Sequence, residues 1–109
     1  MKKWNIEGGV PLRGTVPIAG MKNAALPILF ATLVCNDRCT LHNLPDVGDV
    51  QNALRILEAM GAEVARPAPD TVTVDTRRVC QGTAPNNLVC RLRGSTYLIG
   101  AELARFGCA

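Results

Sequence analysis

The chain has 109 residues, 48% of them apolar, with 12 Lys and Arg against 9 Asp and Glu for a net charge of +3. That is one domain's length, with enough apolar content for a core. The weak basic balance, the lack of a dense basic run and the few aromatics (one Trp, one Tyr, two Phe) argue against a nucleic-acid binder, whereas a small anionic substrate suits them.

No targeting segment is read. Lys2 and Lys3 precede WNIEGGVPLRG, which is not an apolar stretch. The longest uncharged run, AALPILFATLVC over 24–35, is too short to span a bilayer and contains Pro27. A cytoplasmic protein without membrane contact is expected.

Residues 4–18 read as two short strands, WNIEGG and LRGTVPIAG, with Gly8, Gly9 and Gly14 as turn or bulge residues. The pattern then changes period. Residues 22–34 are the first helix, with Pro27 early in it, where a proline is tolerated. Past Asn23 this helix is apolar on nearly every side, which predicts a central helix surrounded by other elements. CTLHNL, 39–44, is a strand, PDVGD a turn, and Asp49 a suitable N-cap for the next helix. In that helix, 50–60, Val50, Ala53, Leu54, Leu57 and Met60 form one stripe with Ile56 at its edge, and Gly61 is placed to end it.

AEVAR (62–66) and TVTVDT (71–76) then read as a half-exposed hairpin around PAPD. Residues 81–87 are a loop, and 94–107 carry a third helix between Ser95 as N-cap and Gly107. It too is apolar over most of its circumference. A weak echo links the first and third helices: Lys22-Asn23 precedes one, Arg93-Gly94-Ser95 the other.

The chemistry concentrates at those two helix mouths. First-turn N–H groups lack partners and carry partial positive charge. A lysine there deepens that potential and an asparagine adds two donors and an acceptor, which suits a phosphate or carboxylate. The plain alternative is a capping Asn beside a solvated Lys. A lysine runs against the dipole preference for acids, which leans toward a bound anion. Arg91 and Arg93, two apart, share a face on an extended approach, and an arginine at a helix mouth holds an anion bidentately; a pair of surface arginines is the alternative. Arg77-Arg78 reads as a solvated charge pair.

The remaining motifs are weaker. Neither phosphate-binding glycine motif is present. A single histidine, His42, leaves no Ser/His/Asp set and reads as structural or exposed. The acids Asp46, Asp49, Glu58, Glu63, Asp70 and Asp75 read as turn or helix-surface residues. The five cysteines, Cys35, Cys39, Cys80, Cys90 and Cys108, are an odd number and read as reduced, isolated and buried; CNDRC lacks the further ligands a zinc site needs.

GMKNAALPILFATLV, LHNLPDVGDVQNALRILEAMGAEV and RLRGSTYLIGAELARFG, in this order, resemble the N-terminal part of the enolpyruvyl transferase family over essentially the whole chain. The resemblance is to its UDP-N-acetylglucosamine 1-carboxyvinyltransferases. The sister 5-enolpyruvylshikimate-3-phosphate synthases typically follow the lysine with serine, so Asn23 disfavours them. A non-catalytic anion-binding module is the reading from another class.

The resemblance implies an α/β (α+β) fold that is part of an inside-out α/β barrel of βαβαββ units, with helices inside. Residues 1–20 would be strands of the half completed by C-terminal sequence. Residues 21–109 would form the first unit and the start of the second unit of the other half. It implies transfer of the enolpyruvyl group from phosphoenolpyruvate to the 3′-hydroxyl of UDP-N-acetylglucosamine, with release of phosphate, the step that opens peptidoglycan synthesis in bacteria. Lys22 and Asn23 would contact phosphoenolpyruvate and Arg93 the UDP-sugar; Arg91 takes no role from it. No metal or cofactor is implied. The family's proton-donor cysteine lies in a PGGC-like stretch that this chain does not reach, and Cys108 lacks the preceding PGG, so no catalytic residue is assigned. The chain would be about the first quarter of such an enzyme, inactive and marginally stable without the remainder of its own polypeptide.

Overall fold

The computed structural model describes residues 2–80, 82 and 84–109. The expected 81–87 loop therefore includes two residues, Gln81 and Thr83, that lie outside the described residues, as does Met1 of the expected 1–20 segment.

The first helix, α1, runs Lys22–Cys35. Pro27 is its sixth residue, beyond the first turn where it was expected, so the bond that Asn23 C=O would accept from position 27 is missing. The helix ends where Asn36 turns left-handed, at φ 50°. Strand β1, Arg38–Leu41, leads to helix α2, Gly48–Ala59. The N-cap of α2 is Val47 and makes no side-chain cap bond; Asp49, expected there, lies in the first turn instead. The end of α2 meets the expectation. Gly61 takes φ 105° and donates to Glu58 C=O, and Ala62 N–H donates to Leu57 C=O, both at 2.9 Å. This is the paired closing motif that only a residue tolerant of positive φ allows without strain.

Strands β2, Glu63–Ala68, and β3, Thr71–Asp75, form the antiparallel hairpin, and β1 pairs antiparallel with the other edge of β3, giving the order β1-β3-β2. The ladder is irregular between Ala65 and Ala68, where Pro67 has no N–H to give. As the middle strand, β3 is more covered than its alternation suggests: Val72 and Val74 are buried, and so are Thr71 and Asp75. A short helix α3, Asn86–Val89, starts in the last two residues of the expected loop and runs beyond it. One turn of 3-10 helix, Arg93–Ser95, precedes α4, Thr96–Phe106. Ser95, expected as N-cap, is already in the right-handed helical region and caps nothing with its side chain.

The core lies between the sheet and α1, α2 and α4. Leu29, Phe30 and Leu33 of α1 meet Ile56 and Leu57 of α2 and Val72 and Val74 of β3, all fully or almost fully buried. The α2 stripe is inside as predicted, and Ile56 belongs to it fully. Neither α1 nor α4 is surrounded. Ile28 and Val34 on α1, and Tyr97, Ile99 and Leu103 on α4, are each about half exposed. Their outer apolar faces have no element over them among the described residues.

Residues 2–20 form no strand, contrary to the alternation in their sequence. A strand needs a ladder partner, and among the described residues this segment finds none. It is tied to the rest at its end, where Gly20 N–H donates to Asn43 C=O at 3.1 Å. That approach requires glycine: a Cβ at position 20 would lie 2.1 Å from the Asn43 oxygen.

Candidate anion-binding site

The N-cap of α1 is Met21, extended at φ −82°, ψ 130°, with no side-chain cap. Met21 C=O receives Ala24 N–H and Ala25 N–H, leaving the Lys22 and Asn23 N–H groups without a backbone acceptor among the described residues. The capping alternative for Asn23 therefore fails, since Asn23 is the second residue of the helix and exposed. Nor is Lys22 simply solvated. Its Nζ lies 2.7 Å from Asp49 Oδ2, with the lysine side chain 51% and the aspartate 30% exposed. The two residues occupy the first turns of α1 and α2, so this ion pair joins the N-terminal ends of two helices.

Arg91 and Arg93 are both exposed on either side of buried Leu92, whose backbone is extended at φ −116°, ψ 112°. Arg91 itself lies in a turn and Arg93 opens the 3-10 turn, so the extended approach expected to align them is confined to Leu92. The Arg93 turn packs on the N-terminal half of α1: a Cβ on Gly94 would lie 2.7 Å from Leu26 Cδ1. Leu26 is one helical turn from Lys22 and Asn23, so Arg93 and the α1 mouth belong to the same end of the molecule. Arg93 forms no ion pair with a described residue. Lys22, Asn23 and Arg93 are all exposed.

Other charged groups are used elsewhere. Arg77 is exposed, as expected, but paired: its Nε and Nη2 donate to Asp75 Oδ1 and Oδ2 at 3.0 and 2.5 Å. Arg38 adds a contact of 3.4 Å to the same carboxylate. The Arg77 hydrogen bonds hold the Asp75 carboxyl far below the usual range, with the charges of Arg77 and Arg38 adding to this, and Asp75 in turn raises Arg77. Arg78 pairs with Glu63 at 2.7 Å. His42 Nδ1 lies 3.2 Å from Thr71 Oγ1, a structural role as expected. Burial pushes the Glu102 carboxyl up, and its Oε1 has no partner among the described residues.

The cysteines were expected to be buried, yet Cys35, Cys80, Cys90 and Cys108 are exposed and Cys39 is half-buried. The core volume is taken by Leu, Ile, Val and Phe, leaving the thiols at element ends and in connections. Burial is the main cause raising the Cys39 thiol, followed by contact with Cys35.

The family model described as EPSP synthase (3-phosphoshikimate 1-carboxyvinyltransferase) matches residues 6–108. The chain belongs to this family. Among the family's curated members, a UDP-N-acetylglucosamine 1-carboxyvinyltransferase from Lawsonia intracellularis is 41% identical over 107 residues, covering 98% of this chain and 25% of the relative. One of the same name from Shewanella amazonensis is 43% identical over 109 residues, covering 100% of this chain and 26% of the relative. Among solved structures, the enolpyruvyl transferase NikO from Streptomyces tendae superposes with a TM-score of 0.78 at 31% identity, covering 92% of this chain and 23% of that one. The chain thus spans about a quarter of the length of the curated relatives it matches. Its α+β arrangement with a three-stranded sheet is part of an enolpyruvyl transferase fold. No helix among the described residues is long and apolar enough to cross a membrane.

What sequence reasoning missed is Asp49. It was read as a cap for its own helix, and 27 residues separate it from Lys22. No local pattern announces such a pair; the only signal was that a lysine at a helix mouth is electrostatically misplaced and needs a compensating charge.

Proposed function

We propose that this chain is the N-terminal quarter of a UDP-N-acetylglucosamine 1-carboxyvinyltransferase. It would take part in transfer of the enolpyruvyl group from phosphoenolpyruvate to the sugar 3′-hydroxyl, in cytoplasmic peptidoglycan synthesis. The observation that supports this reading is the placement of Lys22 and Asn23 in the first turn of α1, with the Arg93–Ser95 turn packed on Leu26 of the same helix. Both substrates bring phosphates, and Lys22, Asn23 and Arg93 would offer them an ammonium, an amide and a guanidinium beside free helix N–H groups.

The reaction is an addition followed by an elimination. The 3′-hydroxyl loses its proton as its oxygen bonds to C2 of phosphoenolpyruvate and C3 takes a proton, and the tetrahedral intermediate then loses phosphate from C2 and a proton from C3 to restore the double bond. Lys22 and Asn23 would hold the phosphoenolpyruvate and stabilise charge shifting toward its phosphate oxygens. Arg93 would grip the UDP-sugar, and its planar fork suits a diphosphate. The proton donor and the remainder of the site would come from sequence beyond Ala109. The exposed outer faces of α1 and α4 would pack against further helices of an inside-out barrel, and residues 1–20 would supply strands to the other half.

A chimera in which this chain replaces the matching quarter of the Lawsonia intracellularis relative tests the reading through coupled phosphate release. The chimera should turn over both substrates, and Lys22→Ala should lower its rate by about a hundredfold or more. A folded chimera without activity, or a Lys22→Ala chimera with unchanged rate, overturns it. The isolated chain should show no turnover.

A further inference from the structure

The ion pair at the helix mouths calls for a reason other than stability. Lys22 and Asp49 are 51% and 30% exposed, and pairs this open contribute little to folding. Asp49 is favourably placed in the first turn of α2, where the dipole welcomes an acid; Lys22 in the first turn of α1 is not. The lysine is a flexible four-carbon stem, and without a partner its ammonium would be driven off the helix end into solvent. Asp49, reaching across from the neighbouring helix, holds Nζ at 2.7 Å. An ammonium has three donors, and a single carboxylate contact leaves others facing the open side.

We propose that Asp49 is a positioning residue for Lys22, fixing the ammonium between the N-terminal ends of α1 and α2 with its remaining donors turned to the incoming anion. The inference rests on the reading of Lys22 as an anion-binding residue and adds to it the group that places the charge. Asp49 does not block the site, because an ammonium bridges two anionic oxygens without releasing either. Removing its charge adds net positive potential, so ground-state attraction for an anion should hold or strengthen. What should be lost is the placement of the donor. Affinity and placement therefore respond in opposite directions, which a general structural role for Asp49 does not predict.

The chain suits a direct test, since Lys2, Lys3 and Lys22 are its only lysines and the first two are exposed. In isotope-labelled protein at low temperature and mildly acid pH, the Lys22 ammonium should give a resolved NMR signal. It should exchange with water about three- to tenfold more slowly than those of Lys2 and Lys3. Inorganic phosphate, the probe, should shift this signal together with the Asn23 amide. Asp49→Asn should bring Lys22 exchange to the rate of the other two lysines and shrink the phosphate-induced shift at saturation, with phosphate affinity unchanged or tighter. Asp49→Glu should restore much of the slow exchange. A Lys22 signal that is the same in wild type and Asp49→Asn, or an Asp49→Asn variant with weaker phosphate binding and an undiminished shift, overturns the positioning role. If phosphate moves neither Lys22 nor Asn23 in wild type while Asp49 still controls exchange, the anion-site reading fails and the positioning contact stands.

Discussion

Asp75 shows how one buried carboxylate depends on its cations. It ends β3 with a side chain only 8% exposed, and Arg77 and Arg38 supply the hydrogen bonds and charge that hold it ionised. Its carboxyl lies far below the ordinary aspartate value of about 3.9, so the folded chain binds the proton less readily than the unfolded one. The resulting stability is therefore fully present above about pH 4 and is lost as pH falls through the unfolded value toward the folded one. Asp75→Asn should lower the melting midpoint at neutral pH by several degrees. That deficit should shrink steadily below about pH 4, where the wild type loses its own advantage. Thermal melts of both proteins across an acid series check this. A deficit that stays constant with pH would mean the substitution acts through packing or lost amide geometry and not through the carboxylate.

At the scale of elements, the end of α1 is closed by a side chain from α4. Arg105 donates through Nη1 to Leu33 C=O at 2.8 Å, and through Nη2 to Asn36 Oδ1, Thr76 C=O and Val79 C=O at 2.8, 2.8 and 2.6 Å. A helix leaves its last carbonyls unpaired, and here one planar guanidinium takes one of them, Leu33 C=O, together with the Asn36 side chain and the chain leaving β3. Arg105→Ala should cost about 2–4 kcal/mol in urea unfolding, since several half-buried acceptors lose their donor at once. Arg105→Lys should recover little of it, because a point charge cannot span the four acceptors; a lysine variant as stable as wild type would refute the fork. This clasp was illegible in the sequence. Its Leu33 contact spans 72 residues, and nothing in ARFG signals the partner. What was legible rests on local periodicity: the α2 stripe, the glycine stop at Gly61 and the β2–β3 hairpin all follow from spacing and backbone preference. The same logic located Lys22, Asn23 and Arg93 at element starts. It could not show that the Lys22 partner is Asp49, nor that α3 forms in four residues after Pro85, too short for any period to register.

The whole molecule is longer than its length in residues calls for. Its radius of gyration is 16.8 Å and its extents are 57 × 29 × 19 Å, against about 13 Å expected for a compact chain of this size. The excess comes from residues 2–19, which lie outside the core. Trp4, Ile6, Val10, Leu12, Val16 and Ile18 all fall on even positions, as one face of a strand would, and they are 77–96% exposed. The segment is thus patterned for a sheet that it does not find among the described residues, and the backbone bond at Gly20 ties its end to the rest. Segments with so little burial and hydrogen bonding open to proteases first. Brief trypsin treatment should cut after Lys3 and Arg13 well before any site in the helices or sheet. The trimmed product from Gly14 onward should melt within about 2 °C of the intact chain, since no core contact is lost. Trp4, the only tryptophan, should emit as a solvated indole in the intact chain and change little on unfolding. Slow cleavage at Arg13, a large fall in the melting midpoint after trimming, or a blue-shifted Trp4 emission would each mean that the segment docks on the domain. The outer faces of α1 and α4 would then be the surface to look at, because they are the other places where apolar residues stand uncovered.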